Sequence, residues 1–373
     1  MNASLLPTFA RPFDTALLAV EPLGETVVRV RLAPESGRSM SYREGQFLTV
    51  ELPDGDLRSY SMAAPVCDDG TLELHIRVYP NGKFSSLLRD RLGAGDKLKV
   101  HGPFGDCTWQ APSSSQTPVL MLATGTGIAP LKALLEAALR AGCANPIWVY
   151  WGGRKAEDFY LSAHFNALTR WHRNLRFITV VAPDGDPCWT GERGYVQDVA
   201  ARRHPNLDGA CVYVCGAPAM VSAARTRLID DCRLCTQNFH ADAFVSSTAP
   251  PADPFKATTA ISVLLSSAHD DRREMNFPSG QSLMVSLRDA GLIKGVCGGN
   301  QSCGTCRVTL DPASFSRLKP IERTERRLLQ ALEDCGPYDR LSCQIRVEAD
   351  LDGIRIELLQ TSPTPIHEEV KAT

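Results

Sequence analysis

Apolar and polar positions alternate in short runs through the first third of the chain. Residues 26–32, 46–52 and 72–78 show it best, with Val, Leu and Ile set between polar neighbours. Alternation of period two marks strands with one buried face. Turn formers separate the runs, at Pro53, Asp54, Gly55 and Asp56 and again at Asp68, Asp69 and Gly70. Several strands joined by tight turns within about 110 residues predict a small antiparallel barrel. Past Pro118 the pattern changes. Residues 119–123 are continuously apolar, and the runs at 147–151, 177–181 and 211–215 repeat that signature. Strands buried on both faces read this way. Helical stretches lie between them, such as the Ala/Leu-rich 131–140, so this part predicts an α/β domain with a doubly wound parallel sheet. A Pro/Ser-rich segment at 246–254 reads as a linker. The predicted division is 1–112, 118–246, a linker at 247–257, and a third, α+β unit at 258–361, with a loose tail from Ser362.

Composition narrows the classes. The 373 residues carry 40 Lys plus Arg against 42 Asp plus Glu, a net charge of -2. Such a balance gives no electrostatic reason for a nucleic-acid or anionic-membrane partner. The most apolar region, 118–142, is broken by Gly125, Gly127, Pro130, Lys132 and Glu136, so no run reaches the roughly 20 apolar residues of a membrane span. The N-terminal residues lack a basic stretch followed by an apolar one. The expectation is a soluble cytoplasmic protein.

Cysteine brings in the chemistry. There are 13, and four of them form the spacing Cys297-x5-Cys303-x2-Cys306-x36-Cys343. A clustered trio with one distant cysteine suits a [2Fe–2S] cluster. Gly298, Gly299 and Gly304 let the backbone wrap closely, so that amides can point at sulfur. Four thiolates also make a zinc site, although zinc ribbons use two close pairs. Cys335 reads as an ordinary thiol. Cys232 and Cys235 have the spacing of a redox pair but sit at a helix end without a thioredoxin-like context.

Two further sites are written in the first two domains. Arg58-Ser59-Tyr60-Ser61 offers an aromatic ring, a hydrogen-bond donor and a cation in one extended segment, as a flavin requires. An exposed Arg and a barrel-core Tyr would leave the same trace. Gly82-Lys83-Phe84-Ser85-Ser86 runs from a turn into a helix whose first amides form a ready anion site. Thr124-Gly125-Thr126-Gly127 follows a buried strand and opens a helix, the context of a dinucleotide phosphate loop, with Pro130 where the usual fingerprint has its third Gly or Ala.

Taken together, R-x-Y-S, G-x-x-S, G-P-F-G at 102–105 and G-T-G-I-A-P at 125–130 resemble the ferredoxin–NADP reductase superfamily over residues 1 to about 245. That resemblance implies FAD rather than FMN. It also implies a hydride-transfer site where Ser61 and Cys215 act near the flavin N5 and the nicotinamide C4, Gly216 shapes the turn, and Phe244 stacks by the flavin. Arg154 and Lys155 suit a 2′-phosphate, yet the segment is similar to those of NADH-using relatives, so NADH is expected over NADPH. The region 277–345 resembles the vertebrate-type (adrenodoxin- and putidaredoxin-like) [2Fe–2S] ferredoxins, with a β-grasp-like fold and Arg340-Leu341-Ser342-Cys343-Gln344-Ile345 as the final ligand motif. Its helix before Cys343 is less acidic than in that group, carrying Arg323, Arg326 and Arg327 beside Glu322, Glu325 and Glu333.

Three modules in this order resemble the reductase components of bacterial oxygenase systems. The implied partner is a terminal Rieske-type non-haem iron oxygenase, with a cytochrome P450 as runner-up. A redox sensor that only reports cluster state is the reading from another class, and the complete hydride-transfer motifs count against it.

Overall fold

The computed structural model describes residues 13–35, 40–112, 114–244, 260–267, 273–293, 295, 299, 301, 304–332 and 335–358. The expected linker and tail, and two of the four patterned cysteines, Cys297 and Cys303, lie outside them. The chain forms two compact units, one of them Phe9–Ser247 and the other holding the strands from Ala260 onward.

The first unit opens with six antiparallel strands, β1 (Phe13–Pro22), β2 (Val27–Pro34), β3 (Phe47–Glu51), β4 (Leu57–Ser61), β5 (Leu72–Arg77) and β6 (Lys97–Phe104), with helix α1 (Lys83–Asp90). Their order is β4-β3-β6-β1-β2-β5, and a Met62↔Leu74 bridge joins the two end strands. The inward residues of the alternating runs, including Val30, Leu32, Leu48, Val50, Leu72, Leu74 and Ile76, fill the barrel. Strand β1 is buried at Thr15 and Leu17 and exposed at Leu18, and a bulge between Leu17 and Ala19 shifts its register to β2.

Six parallel strands follow: β7 (Val119–Thr124), β8 (Ile147–Gly153), β9 (Leu175–Val181), β10 (Glu192–Arg193), β11 (Cys211–Gly216) and β12 (Phe239–Ala243). Helices α2 (Ile128–Arg140), α3 (Ser162–Trp171), α4 (Val196–Arg203) and α5 (Pro218–Thr226) cross between them. The order β10-β9-β8-β7-β11-β12 reverses between β7 and β11. The crevice at the carboxyl ends of such a pair is where open α/β sheets bind ligands. The continuous apolar runs divide by side: Val119, Met121 and Ala123 enter one core, Leu120 and Leu122 the other.

The second unit has sheet order β14-β13-β17-β15-β16, from β13 (Ala260–Ser267), β14 (Arg273–Pro278), β15 (Arg307–Leu310), β16 (Asp339–Leu341) and β17 (Ile354–Leu358). Strands β13 and β17 are parallel and the remaining pairs antiparallel. Helices α6 (Leu283–Asp289), α7 (Pro312–Ser316) and α8 (Arg323–Ala331) complete it. Ser282 caps α6 and Asp311 caps α7 through side-chain oxygens that accept first-turn amides. Glu325 of α8 is buried against Arg340 of β16 in a bidentate pair at 2.9 and 3.0 Å, and also accepts the Leu341 amide. One of the acidic residues counted on that helix is thus an internal strut beside the last ligand motif.

Candidate active site and cluster ligands

In β4, period-two alternation sets Arg58 and Tyr60 on one face and Ser59 and Ser61 on the other. Tyr60 packs on Phe84 of α1, with ring centroids 5.6 Å apart. Arg58 and Lys83 both meet Asp56, Arg58 at 3.1 Å and Lys83 at 2.5 Å, with Lys83 also on Asp54 at 2.7 Å. The Ser85 hydroxyl accepts the Tyr79 amide at 3.0 Å and is buried, so it shapes the turn at Gly82. Ser86 donates its amide to Gly82 O, leaving the amides ahead of it at the helix start for an anion.

The glycine loop after β7 turns at Gly125–Gly127 and runs directly into α2. Trp151 of β8, fully buried, donates its indole N–H to Gly125 O at 3.0 Å. Close packing sets the two glycines of the crevice. A Cβ on Gly127 would lie 2.1 Å from Cys215 O, and one on Gly216, at φ +145°, would lie 2.3 Å from Thr124 Oγ1. Thr124 Oγ1 itself accepts the Ala217 amide at 3.2 Å. Thr124, Gly125, Thr126 and Gly127 therefore stand at the carboxyl end of β7 against Cys215 and Gly216 at the end of β11, on both sides of the reversal point. Phe244 donates its amide to Gly216 O at 2.7 Å, just beyond β12.

Barrel and sheet meet at this crevice. Ser61 donates to Asp242 Oδ2 at 3.4 Å across 181 residues of sequence. Asp242 is paired with Cys215 in the β11–β12 register. Sequence reasoning brought Ser61 and Cys215 together but passed over Asp242, a short acidic side chain in a half-polar edge strand. It also passed over Cys107. The Cys107 thiol hydrogen-bonds to that of Cys215, and this contact, followed by burial, holds it protonated. Arg77, at the end of β5, is a third omission. Its guanidinium would lie 3.6 Å from a Cβ on Gly125, it is 4.0 Å from Asp158, and its Nε has no hydrogen-bond partner in a buried position. A cation so placed, beside a loop that opens a helix, fits a dinucleotide's diphosphate. Cys232 is buried and Cys235 exposed, which separates the two thiols of that pair by environment.

A charged network runs beneath the crevice. Glu73 Oε1 lies 3.0 Å from His75 Nε2 and 3.3 Å from Lys132 Nζ. Burial opposes its charge, but the contacts of His75 and Lys132 outweigh it and lower its pKa from 4.5 to about 2. A carboxyl that ionises more readily in the fold stabilises it above the unfolded pKa, and the contribution fades as pH falls from 4.5 toward 2. Glu73→Gln is expected to cost about 2–3 kcal/mol at neutral pH, by the linkage of about 1.4 kcal/mol per unit. Thermal unfolding checks it: the Tm gap to the wild type should be widest near pH 7, narrow steadily below pH 4.5 and close only as pH falls through about 2. An equal gap at both ends of that range would sink the assignment.

In the second unit, Cys306 is buried beside Met284, Leu329 and Leu341, and Cys343 packs at the edge of the same cluster. Ser342 ties the two ligand segments, its amide and hydroxyl both donating to Cys306 O at 2.9 and 2.8 Å. Gln344 donates to Cys343 Sγ at 3.3 Å and to Gly299 O at 3.4 Å, and accepts from Gln301 at 2.8 Å. Two thiols in an apolar shell, one of them already accepting an N–H, suit a thiolate-held cluster whose sulfur charge needs donors.

Three families match the chain in sequence: the oxidoreductase FAD-binding domain over residues 15–109, the oxidoreductase NAD-binding domain over 121–226, and the 2Fe-2S iron-sulfur cluster binding domain over 268–348. The last match favours the cluster over zinc. Reductase component 1 of terephthalate 1,2-dioxygenase from a Comamonas species is 33% identical over 221 residues, 58% of this chain. The chain spans only 64% of that relative's length. The ferredoxin–NAD(P)+ reductase component of the naphthalene 1,2-dioxygenase/salicylate 5-hydroxylase systems of a Ralstonia species is 33% identical over 239 residues, 64% of this chain and 70% of its own. Among solved structures, the Amycolatopsis cytochrome P450 reductase GcoB superposes with a TM-score of 0.58 at 29% identity, covering 63% of this chain and 70% of that one. Fold and matches together define a flavin- and nicotinamide-binding oxidoreductase that carries an iron–sulfur module. The chain belongs to the ferredoxin–NAD(P) reductase superfamily. Among the described residues no helix is long and apolar enough to cross a membrane.

Proposed function

We propose that this protein is the reductase component of an oxygenase system, passing electrons from NADH through FAD and the [2Fe–2S] cluster to a terminal oxygenase. The observation that carries the reading is the contact of Ser61 with Asp242, which is paired with Cys215 beside the reversal point of the parallel sheet. A flavin, when bound, takes up a hydride and releases electrons singly, which suits a one-electron cluster downstream. The chain's own part is placement. Ser61, its one hydroxyl proton donated to the Asp242 carboxylate, presents its oxygen as an acceptor, Cys215 walls the crevice with a buried thiol, and Tyr60 presents its ring from the opposite face of β4. Arg77 and the amides of the Gly125–Gly127 turn hold the dinucleotide diphosphate, and Phe244 covers the flavin side. The barrel and sheet exclude water, so positioning supplies most of the rate. In the second unit Cys297, Cys303, Cys306 and Cys343 hold the cluster.

The visible spectrum of the purified protein before and after anaerobic NADH tests this. A flavin band that bleaches, followed by loss of cluster absorption, is expected. Colourless protein without iron or acid-labile sulfide, even after reconstitution, would overturn it.

A Rieske-type oxygenase is the favoured acceptor, supported by the dioxygenase systems that the Comamonas and Ralstonia relatives serve. The likeness to a P450 reductase keeps a cytochrome P450 as the second reading. Reconstitution with one oxygenase of each kind separates them by coupled product formation.

NADH is favoured because the two cations suited to a 2′-phosphate are engaged within the chain. Arg154 pairs with Asp184 at 2.9 Å and Lys155 with Glu25 at 3.0 Å, while Asp158 accepts both their amides. Arg154→Ala is expected to leave kcat/KM for NADH within about threefold, since exposed pairs of this kind contribute little. A wild type that prefers NADPH, with that preference lost selectively in the variant, would reverse the assignment.

A further inference from the structure

Lys132 lies in the first turns of α2, inside the most apolar stretch of the chain, with its side chain only 11% exposed. Its Nζ donates to Ala63 O at 2.9 Å, Glu73 Oε1 at 3.3 Å and Glu136 Oε2 at 3.3 Å. All three ammonium protons are thereby used. Ala63 sits two residues past Ser61, in a turn fixed on several sides. The Met62 amide donates to Gln46 O, the Ala63 amide to Glu73 O, and the Tyr42 hydroxyl to Ala64 O. These bonds all come from the barrel. The Lys132 bond comes from the nucleotide half, on the helix that begins at the Gly125–Gly127 loop. Its partner Glu136 is in turn 2.8 Å from His164 of α3.

An apolar side chain would fill this helix position without the several kcal/mol that desolvating an ammonium costs. The charge adds register. An ammonium bonded to one carbonyl and flanked by two carboxylates admits one arrangement of the turn and the helix, where apolar packing would admit sliding. We propose that Lys132 is a positioning residue for hydride transfer, locking the turn after Ser61 to the nucleotide-binding helix so that donor and acceptor face each other at reacting distance. The proposal rests on the flavin being held at β4, as argued above.

The test uses the full chain with its cofactors. Lys132→Met keeps the length and apolar contact of the side chain and removes all three donors. Anaerobic stopped-flow reduction by NADH gives a limiting rate and an apparent Kd. Hydrogen–deuterium exchange, recorded before NADH is added, reports the 61–65 turn without reference to activity. The limiting rate should fall about 10- to 100-fold, the penalty of a displacement near 1 Å, with Kd changed by no more than about threefold. Exchange at residues 62–64 should quicken by about tenfold or more, as local opening becomes easier, while β13–β17 stay unchanged. A limiting rate within twofold of the wild type overturns the proposal, whatever happens to Tm. Should the variant fail to fold, Glu136→Gln leaves the Ala63 bond in place and removes one flanking charge. That variant should be about three- to tenfold slower in the limiting rate by the same positioning argument, and an unchanged rate overturns the proposal. A wild-type flavin that NADH does not bleach overturns the site reading itself, and this proposal with it.

Discussion

Cys306→Ser should erase the cluster's absorption and the EPR signal of the reduced protein, and cut electron delivery to a protein acceptor by at least about 100-fold, because the centre depends on thiolate ligation. NADH–ferricyanide activity should stay within about twofold, since the hydride-transfer residues all lie in the other compact unit. Cys306 is a sharper target than a surface cysteine. It is 2% exposed, and its carbonyl accepts both Ser342 donors, so the backbone has its own restraints when sulfur becomes oxygen. Cys335→Ser is the control. That thiol is half-buried, pushed up chiefly by burial, and its contacts are with Gly336 O at 3.8 Å and with the Asp339 and Arg307 side chains. It should leave the cluster signals intact. Loss of ferricyanide activity together with the cluster in Cys306→Ser would contradict two independently working units.

Gly127→Ala should be among the most damaging single changes in the reductase half. The added methyl would stand 2.1 Å from Cys215 O and 2.5 Å from its carbonyl carbon, both rigid backbone atoms. The loop and the end of β11 would have to separate at the proposed hydride-transfer site. Overpacking of this kind commonly costs about 1–3 kcal/mol, and a displacement of about 1 Å at a transfer site costs roughly 10²-fold in rate. The expected result is a drop in NADH-dependent flavin reduction of at least about 100-fold with a lowered Tm, while the cluster still reduces with dithionite. Near-normal reduction kinetics would show that the crevice tolerates separation and that the geometry has been misread.

Much of this architecture could be read from the chain because the signals were local. The five-residue apolar run before Gly125 needs only its own composition to announce a strand buried on both faces, and both cores indeed take alternate residues from it. R-x-Y-S, G-T-G and the Cys297–Cys306 spacing are likewise short motifs. What escaped depends on distant partners. Asp242 gains meaning only from Ser61, 181 residues away, and Arg77 only from Gly125. Lys132 and Glu136 were legible as oddities, two charges interrupting the most apolar region, and their bearing on the site waited on Ala63 and Glu73. Glu325 counted as helix-surface charge until β16 brought Arg340 against it.

Strand β12 sets where this polypeptide can be divided. It forms the outer edge of the parallel sheet, is the last strand of the reductase half, and carries the carboxylate that Ser61 meets. Splitting the gene after Phe244 would leave β12 whole as the wall beside Ser61. Moving the cut some six residues upstream would strip away that wall and bare the backbone of β11 to solvent and to aggregation. Fusion or exchange of the electron-carrying module is thus confined to the stretch beyond this strand.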